Sequence, residues 1–340
     1  MGPLRHRLCV AAGSLLLLPA LAAAPATAGP ASIDGPLNIL LAGIDPRDAH
    51  TAPLADTIIV VHIPANRSGA FLFSLPRDLV VRIPGFAKSG SLPQRAKINA
   101  AMALGSRVAE GRYDPAQGLE LLARTAGQVT GIAAFDAGAV IDFGGFQDVV
   151  AALGGVKMVI DQDVVSEHRK PDGTPRDRLP QCRSNHDCAR PYTGEQKIYP
   201  KSDNPVRLKP WEALDFVRQR YGLPRSDYDR QRHQRQFLTA VVTKLSKAGP
   251  SRLRRVLAAA GDSLTFSGGR HSLAAWADEL RRVNAADVTT VGLPGTAVFD
   301  DSRYLGESVD AAPFFTAVAT DRVAPFLIDH PGAVTPDPQR

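Results

Sequence analysis

Aromatic residues and cysteines are scarce in this chain. Two tryptophans, six tyrosines and three cysteines are spread over 340 residues. Few planar side chains means little to stack on bases or sugar faces. Few thiols excludes a disulfide-dense miniature fold. Long apolar runs are missing too. The N-terminal candidate, Leu8 to Ala24, is shorter than the ~20 residues a spanning helix needs, and Gly13 and Pro19 interrupt it. There is no internal repeat and no long low-complexity linker. No Walker A loop, G-x-S-x-G elbow or H-E-x-x-H helix occurs. The eight histidines are scattered, and His62 and His233 read as structural.

Apolar residues make up 44%, enough for a sizeable core, and the formal net charge is +6. So mild a basic bias permits an anionic partner without requiring one. Arg5 and Arg7 precede the apolar stretch, and Ala26-Thr27-Ala28 offers a small-x-small cleavage site. Residues 1–28 therefore read as an export signal, cleaved or kept as an anchor. That places the protein in the cell envelope, outside the cytoplasm, and counts against nucleic acid as a partner. Cys9 lies at the start of the apolar run and not after it, so it is not placed as a lipoprotein cysteine. In an oxidising compartment Cys182 and Cys188, flanking "RSNHD", read as a disulfide closing a small loop. A metal site is the weaker reading, because only His186 lies between them.

Three strand-length apolar runs come first: "LNILLAGI", "DTIIVVHI" and "GAFLFSL", the last two joined by the turn "PANRSG". Residues 118–131 and 143–155 have helical spacing, the second ending on Gly154-Gly155. Residues 156–160 and 287–293 read as further strands. Residues 162–206 form a long polar excursion carrying the cysteine pair. Helices dominate 208–285. The expected organisation is one α/β domain over about 36–325 and a disordered tail over 326–340.

The first three strands, taken as an antiparallel meander, bring Asp45, Asp56 and Arg77 to one rim, with Arg47 and Asp78 close by. Two carboxylates and an arginine suit a Mg²⁺–phosphate site. Aspartates also commonly mark turns after strands, and spacing alone leaves both readings open. Six arginines fall within residues 217–237. On a helix starting near Asp227, Arg230 shares a stripe with Gln234, Phe237, Leu238, Val241 and Leu245. Arg232 and Arg235 point elsewhere and are expected in solvent. If "VRQR" is extended, Arg218 and Arg220 point the same way. An inward arginine plus such a pair is costly without an anion, which points to a pyrophosphate clamp.

Together "LLAGIDPR", "LADTIIVVHI", "FSLPRD", "KINAA", "DFGGFQDVVAALGGV", "LKPWEALDFVRQRYG" and "SDYDRQRHQRQFL" resemble the LytR–CpsA–Psr family of bacterial cell-envelope enzymes, in the family's order over most of 38–238. The resemblance implies a single-domain α/β/α sandwich around a central mixed β-sheet, with a deep lipid-accepting pocket. It implies transfer of a glycopolymer from a polyprenyl-pyrophosphate carrier onto peptidoglycan at the membrane surface, forming a phosphodiester with Mg²⁺. By motif position it assigns Asp45 and Asp56 to Mg²⁺. It assigns Arg77, Arg218 and Arg220 to catalysis on the pyrophosphate, and Lys97, Asn99, Asp227, Arg230 and Gln234 to its binding. Most members carry Arg where this chain has Leu54, and Arg47 lies near enough to substitute. A non-catalytic binder of polyprenyl-phosphate lipid or anionic envelope polymer is the competing reading.

Overall fold

The computed structural model describes residues 32–46, 51–108, 111–182, 188, 190–331 and 335–336. The export segment, Cys9 and Arg47 lie outside the described residues. Strand β1 (Leu37–Ile44) pairs antiparallel with β2 (Ala55–Ile63), which pairs antiparallel with β3 (Ala70–Ser74). The expected meander is therefore present. Its side chains alternate between two covered faces: Leu40 and Ala42 enter one apolar cluster, Leu37 and Ile39 another. A ribbon of β4 (Val80–Ile83) and β5 (Gln94–Lys97) follows, then α1 (Ala100–Ser106) and α2 (Pro115–Thr130). Helix α2 starts with Pro115 at its first position, and the Asp114 carboxylate accepts from the N–H groups of Ala116 and Gln117.

Strand β6 (Ala137–Ile141) runs parallel to β1 and leads into α3 (Phe143–Leu153). Asp142 caps α3, and Gly154 ends it at φ 73°, which a side chain would oppose. The polar excursion lies between β7 (Val156–Ile160) and β12 (Ser202–Leu208), which pair with each other. It is a stack of two-residue pairings, β8 (Val164–Val165) with β11 (Ile198–Tyr199) and β9 (Asp177–Arg178) with β10 (Tyr192–Thr193). Cys182 and Cys188 are disulfide-bonded, with Cα atoms 5.5 Å apart.

Helices α4 (Pro210–Phe216), α5 (Asp227–Ser246), α6 (Pro250–Ala260) and α7 (Leu273–Leu280) come next, with β13 (Leu264–Ser267) before α7. Then come β14 (Val288–Gly292), the hairpin β15 (Gly295–Asp300) with β16 (Arg303–Val309), α8 (Ala312–Ala319) and α9 (Val323–Asp329). Residues expected to begin a disordered tail are partly ordered. Phe326 lies in α9 with its ring 6.0 Å from that of Phe314, and β17 (Thr335–Pro336) pairs with β14. Burial of Phe326 against the core is the physical reason, since an apolar ring gains by leaving water.

The main mixed sheet has the order β13-β6-β1-β2-β3-β14-β17. Helices α1, α2, α8 and α9 cover one face, packing on Phe73, Val140 and Val291. Leu238 of α5 and Trp276 of α7 pack on the other face. Beyond α5 lies a further cluster built from α3, α4, α6 and β7. Helix α5 is thus enclosed from two sides. This corrects the expectation that Arg232 and Arg235 are solvated: they are 9% and 2% exposed. Arg232 pairs with Asp161 at 3.1 Å, and Arg235 donates to Ser74 Oγ at 3.0 Å. The first turns of α5 are packed between the sheet and the second core, so their cations must find partners inside.

Candidate active site

Asp45, Asp56 and Arg77 meet at one edge of the main sheet, as the meander requires. β1 ends just before Asp45, Asp56 is the second residue of β2, and Arg77 follows the end of β3. The β1–β2 register shifts there: Thr57 faces Gly43 and Ala55 faces Ile44, so Asp56 is the extra residue of a bulge. Bulges re-aim side chains, and this one frees Asp56 from the alternation of its strand. Arg77 Nη1 donates to Asp56 Oδ1 at 2.6 Å. Burial opposes the charge of Arg77, but Asp56, Asp227 and Asp78 outweigh it and raise its pKa.

Asp227 extends this chain of alternating charge into α5. It lies 3.9 Å from Arg77 Nε and 2.7 Å from Arg230 Nη2, and accepts from Gln231 Nε2 at 3.1 Å. Burial lowers the pKa of Arg230, with Asp227 opposing that fall. Burial favours a neutral Asp227, yet Arg230, Gln231 and Arg77 hold its pKa down. Both Arg77 Nε and Arg230 Nε are buried N–H donors with no hydrogen-bond partner. Orphaned guanidinium donors in a polar rim suit an oxyanion ligand.

Arg218 reaches the same edge by another route. Its Nη2 lies 3.7 Å from Asp45 Oδ2, and its guanidinium sits 4.0 Å over the ring of Phe143, the first residue of α3. Burial lowers its pKa, partly offset by Asp45, Asp215 and Asp56. "VRQR" is not extended, however. After α4 the chain turns, with Arg218 N–H donating to Asp215 O and Gln219 N–H to Phe216 O. Arg220 therefore parts from Arg218 and lies on its neighbour Tyr221, 4.9 Å above the ring. Gln234 Nε2 donates to Val217 O at 3.2 Å, holding this turn against α5. Lys97 pairs with Asp78 at 3.1 Å. The Asn99 backbone links to Arg77 O and Ala55 N, stitching the arginine loop to the start of β2. Leu54 is 43% exposed just ahead of β2.

Several contributors escaped the sequence reading. Tyr228 Oη donates to Glu307 Oε2 at 2.8 Å, and Glu307 N–H donates to Asp78 O. Burial raises the pKa of Glu307, reinforced by Asp227 and Asp78. Gly306 lets β16 approach so closely, since a Cβ there would lie 2.3 Å from Asp78 O. The excursion buttresses the Arg218 turn: Asp215 accepts from Ser166 Oγ, Tyr199 Oη and Gln219 Nε2, and Glu167 N–H donates to Gln219 Oε1. Alternating aspartate and tyrosine in "DYD" was the one sequence signal for Tyr228.

Among the described residues no cluster of three or more His, Cys, Asp or Glu could hold a metal. Asp45 lies beside Arg218, at 3.7 Å, and Asp56 beside Arg77, at 2.6 Å, so each carboxylate stands next to a guanidinium at the same rim. That donor set fits Mg²⁺, which commonly takes one or two carboxylates and completes its shell with water and phosphate. A cleft of about 1400 Å³ lies elsewhere, along α5, β7 and β12. Its lining mixes apolar residues such as Leu153, Met158 and Val288 with seven lysines and arginines.

The sequence matches the LytR_cpsA_psr family over residues 22–320. The chain belongs to this family. It is 25% identical to the cell wall biosynthesis protein LcpA of Corynebacterium glutamicum, over 90% of this chain and 58% of that one. It is 27% identical to the polyisoprenyl-teichoic acid–peptidoglycan teichoic acid transferase TagU of Bacillus cereus, over 62% of this chain and 52% of that one. The chain thus spans rather more than half the length of these curated relatives. The fold matches TagV of B. subtilis with a TM-score of 0.58 at 20% identity, covering 86% of this chain and 96% of that one. TagT bound to LIIa-WTA matches with a TM-score of 0.56 at 20% identity, over 84% and 90% of the two chains. These LytR_cpsA_psr structures share the α/β/α sandwich around a mixed sheet.

Proposed function

We propose that this protein transfers a glycopolymer from a polyprenyl-pyrophosphate carrier to peptidoglycan, outside the cytoplasm and at the membrane surface. The observation that carries the reading is the rim of alternating charge, with the buried donors Arg77 Nε and Arg230 Nε left over for an anion. Curated relatives named as teichoic acid transferases support the same substrate class. Asp45 and Asp56 would hold Mg²⁺, which would supply neutralisation of the pyrophosphate charge.

Arg77, Arg218 and Arg230 bind and orient the pyrophosphate. Arg220 and Lys97 flank them, Gln234 fixes the Arg218 turn, and Asn99 fixes the arginine loop. An acceptor hydroxyl oxygen attacks the sugar-proximal phosphorus and forms the new P–O bond. The bond from that phosphorus to the bridging oxygen breaks, and polyprenyl phosphate leaves with the electron pair. The hydroxyl proton passes to a rim carboxylate. Guanidinium donors aimed at the phosphoryl oxygens stabilise charge as it develops, with little reorganisation.

Purified protein given a polyprenyl-pyrophosphoryl saccharide and peptidoglycan should release polyprenyl monophosphate in a Mg²⁺-dependent manner. Asp56→Ala should lower that release about 10²-fold or more, the scale for a lost electrostatic stabiliser. Exposed Leu54, where the family usually has Arg, favours a binder as the second reading. Tight, metal-independent lipid binding without monophosphate, unaffected by Asp56→Ala, would establish it. If a missing phosphate contact limits turnover, Leu54→Arg should raise it.

A further inference from the structure

The basic cleft on the far side of α5 has no part in the rim. Six positions of α5 line it, 232, 236, 239, 240, 243 and 244, followed by Lys247 at the helix end. Their spacing is a single helical stripe, distinct from the stripe that carries Arg230 and Gln234. Six cations converge there: Lys157, Lys201, Arg207, Lys244, Lys247 and Arg252. Among the described residues none of the six has a carboxylate within ion-pair distance, although Arg232 in the same cleft is matched by Asp161.

Two details show that this charge is crowded as well as numerous. Lys157 and Arg207 are directly opposed partners of the β7–β12 ladder. Like charges at such a position destabilise a strand pair. Lys244 has its pKa lowered by burial and then by Arg207, Arg252 and Lys157. Arg207 donates to Gly154 O and Lys244 to Gly155 O, so these two cap the end of α3. That accounts for two cations and leaves Lys157, Lys201, Lys247 and Arg252 without a structural task.

We propose that this cleft holds a strand of anionic polymer, a polyol-phosphate or acidic polysaccharide chain, away from the transfer rim. A linear polyanion places successive charges along a groove, which a row of separate cations matches. No aromatic side chain lines the cleft, so a nucleic acid would lack stacking surfaces. A bilayer surface is flat and does not enter a cleft. The proposal rests on the proposed function for the role of the polymer, and on the cations alone for its binding.

The test uses the full chain and a soluble poly(glycerol phosphate) oligomer, with binding read by titration at low ionic strength. Lys157→Glu/Lys247→Glu and, separately, Arg252→Glu should each weaken binding at least tenfold while thermal melting stays near wild type. Binding should also fall steeply with added salt. Asp56→Ala should bind normally, and Lys247→Glu should still release polyprenyl monophosphate from a polyprenyl-pyrophosphoryl donor whose saccharide is short and uncharged. Cation-dependent binding with no transfer in any variant would sustain the cleft and overturn the transferase reading. Three outcomes overturn the cleft proposal. One is affinity unchanged in both folded variants. Another is no binding by the wild type. The third is tighter binding, through the same cations, of phosphatidylglycerol vesicles or single-stranded DNA.

Discussion

Arg218 and Arg220 stand two residues apart and have different surroundings. Arg218 faces Asp45 and covers the Phe143 ring, whereas Arg220 lies on Tyr221. A clamp made equally of both would lose equal activity on truncation of either. The geometry instead predicts that Arg218→Ala lowers kcat/KM about 10²-fold, while Arg220→Ala costs less than tenfold. Steady-state release of polyprenyl monophosphate measures both. The motif spacing brought both residues to notice. It could not separate them, because the helix-end turn that divides them leaves no mark in "VRQR".

Among the elements, the β1–β3 meander was readable because β-branched runs and a polar turn specify it locally. The hairpin β15–β16 was not, since half-exposed ribbon strands need no regular alternation. On α5 the inward stripe of Arg230, Gln234, Phe237 and Val241 was legible, but the burial of Arg232 and Arg235 was not. Charged residues at successive helix positions read as solvent-facing unless the second core beyond the helix is known. The polar excursion read as irregular, yet it supports the site through Ser166, Tyr199 and Gln219 around Asp215. Gln219→Ala removes one donor from a buried carboxylate and the acceptor of Glu167 N–H. Such a loss costs about 1–3 kcal/mol. A lower melting temperature together with a reduced kcat is expected, because the Arg218 turn loosens. A change in melting temperature alone would confine the network to stability.

For the whole molecule, buried titratable groups away from the rim carboxylates set the response to acid. His168 has its pKa lowered to about 4, by burial and then by Arg218. Between pH 6.5 and about 4 the unfolded chain binds a proton there that the folded one does not. Stability is lost as pH falls through that window. Asp161 has its pKa lowered to about 2: burial opposes its charge, but His233, Gln236 and Arg232 prevail. Its contribution is complete above about 3.8 and fades towards pH 2. Denaturant midpoints measured from pH 7 to 3 should therefore fall in two stages. His168→Gln should flatten the first. The deficit of Asp161→Asn at neutral pH should shrink in the second.

The bulge at Asp56 gives the rim a placeholder. With Arg77 held on Asp56 and Arg230 on Asp227, the resting site carries its own surrogate anions. An incoming phosphate competes with carboxylates already in place rather than with water. A lone monoanion gains little by such an exchange. A pyrophosphate offers several oxygens at once and can take both arginines in one step. In the proposed transfer, the monophosphate left behind would meet the same carboxylates returning to their arginines, and the rim would help to expel it.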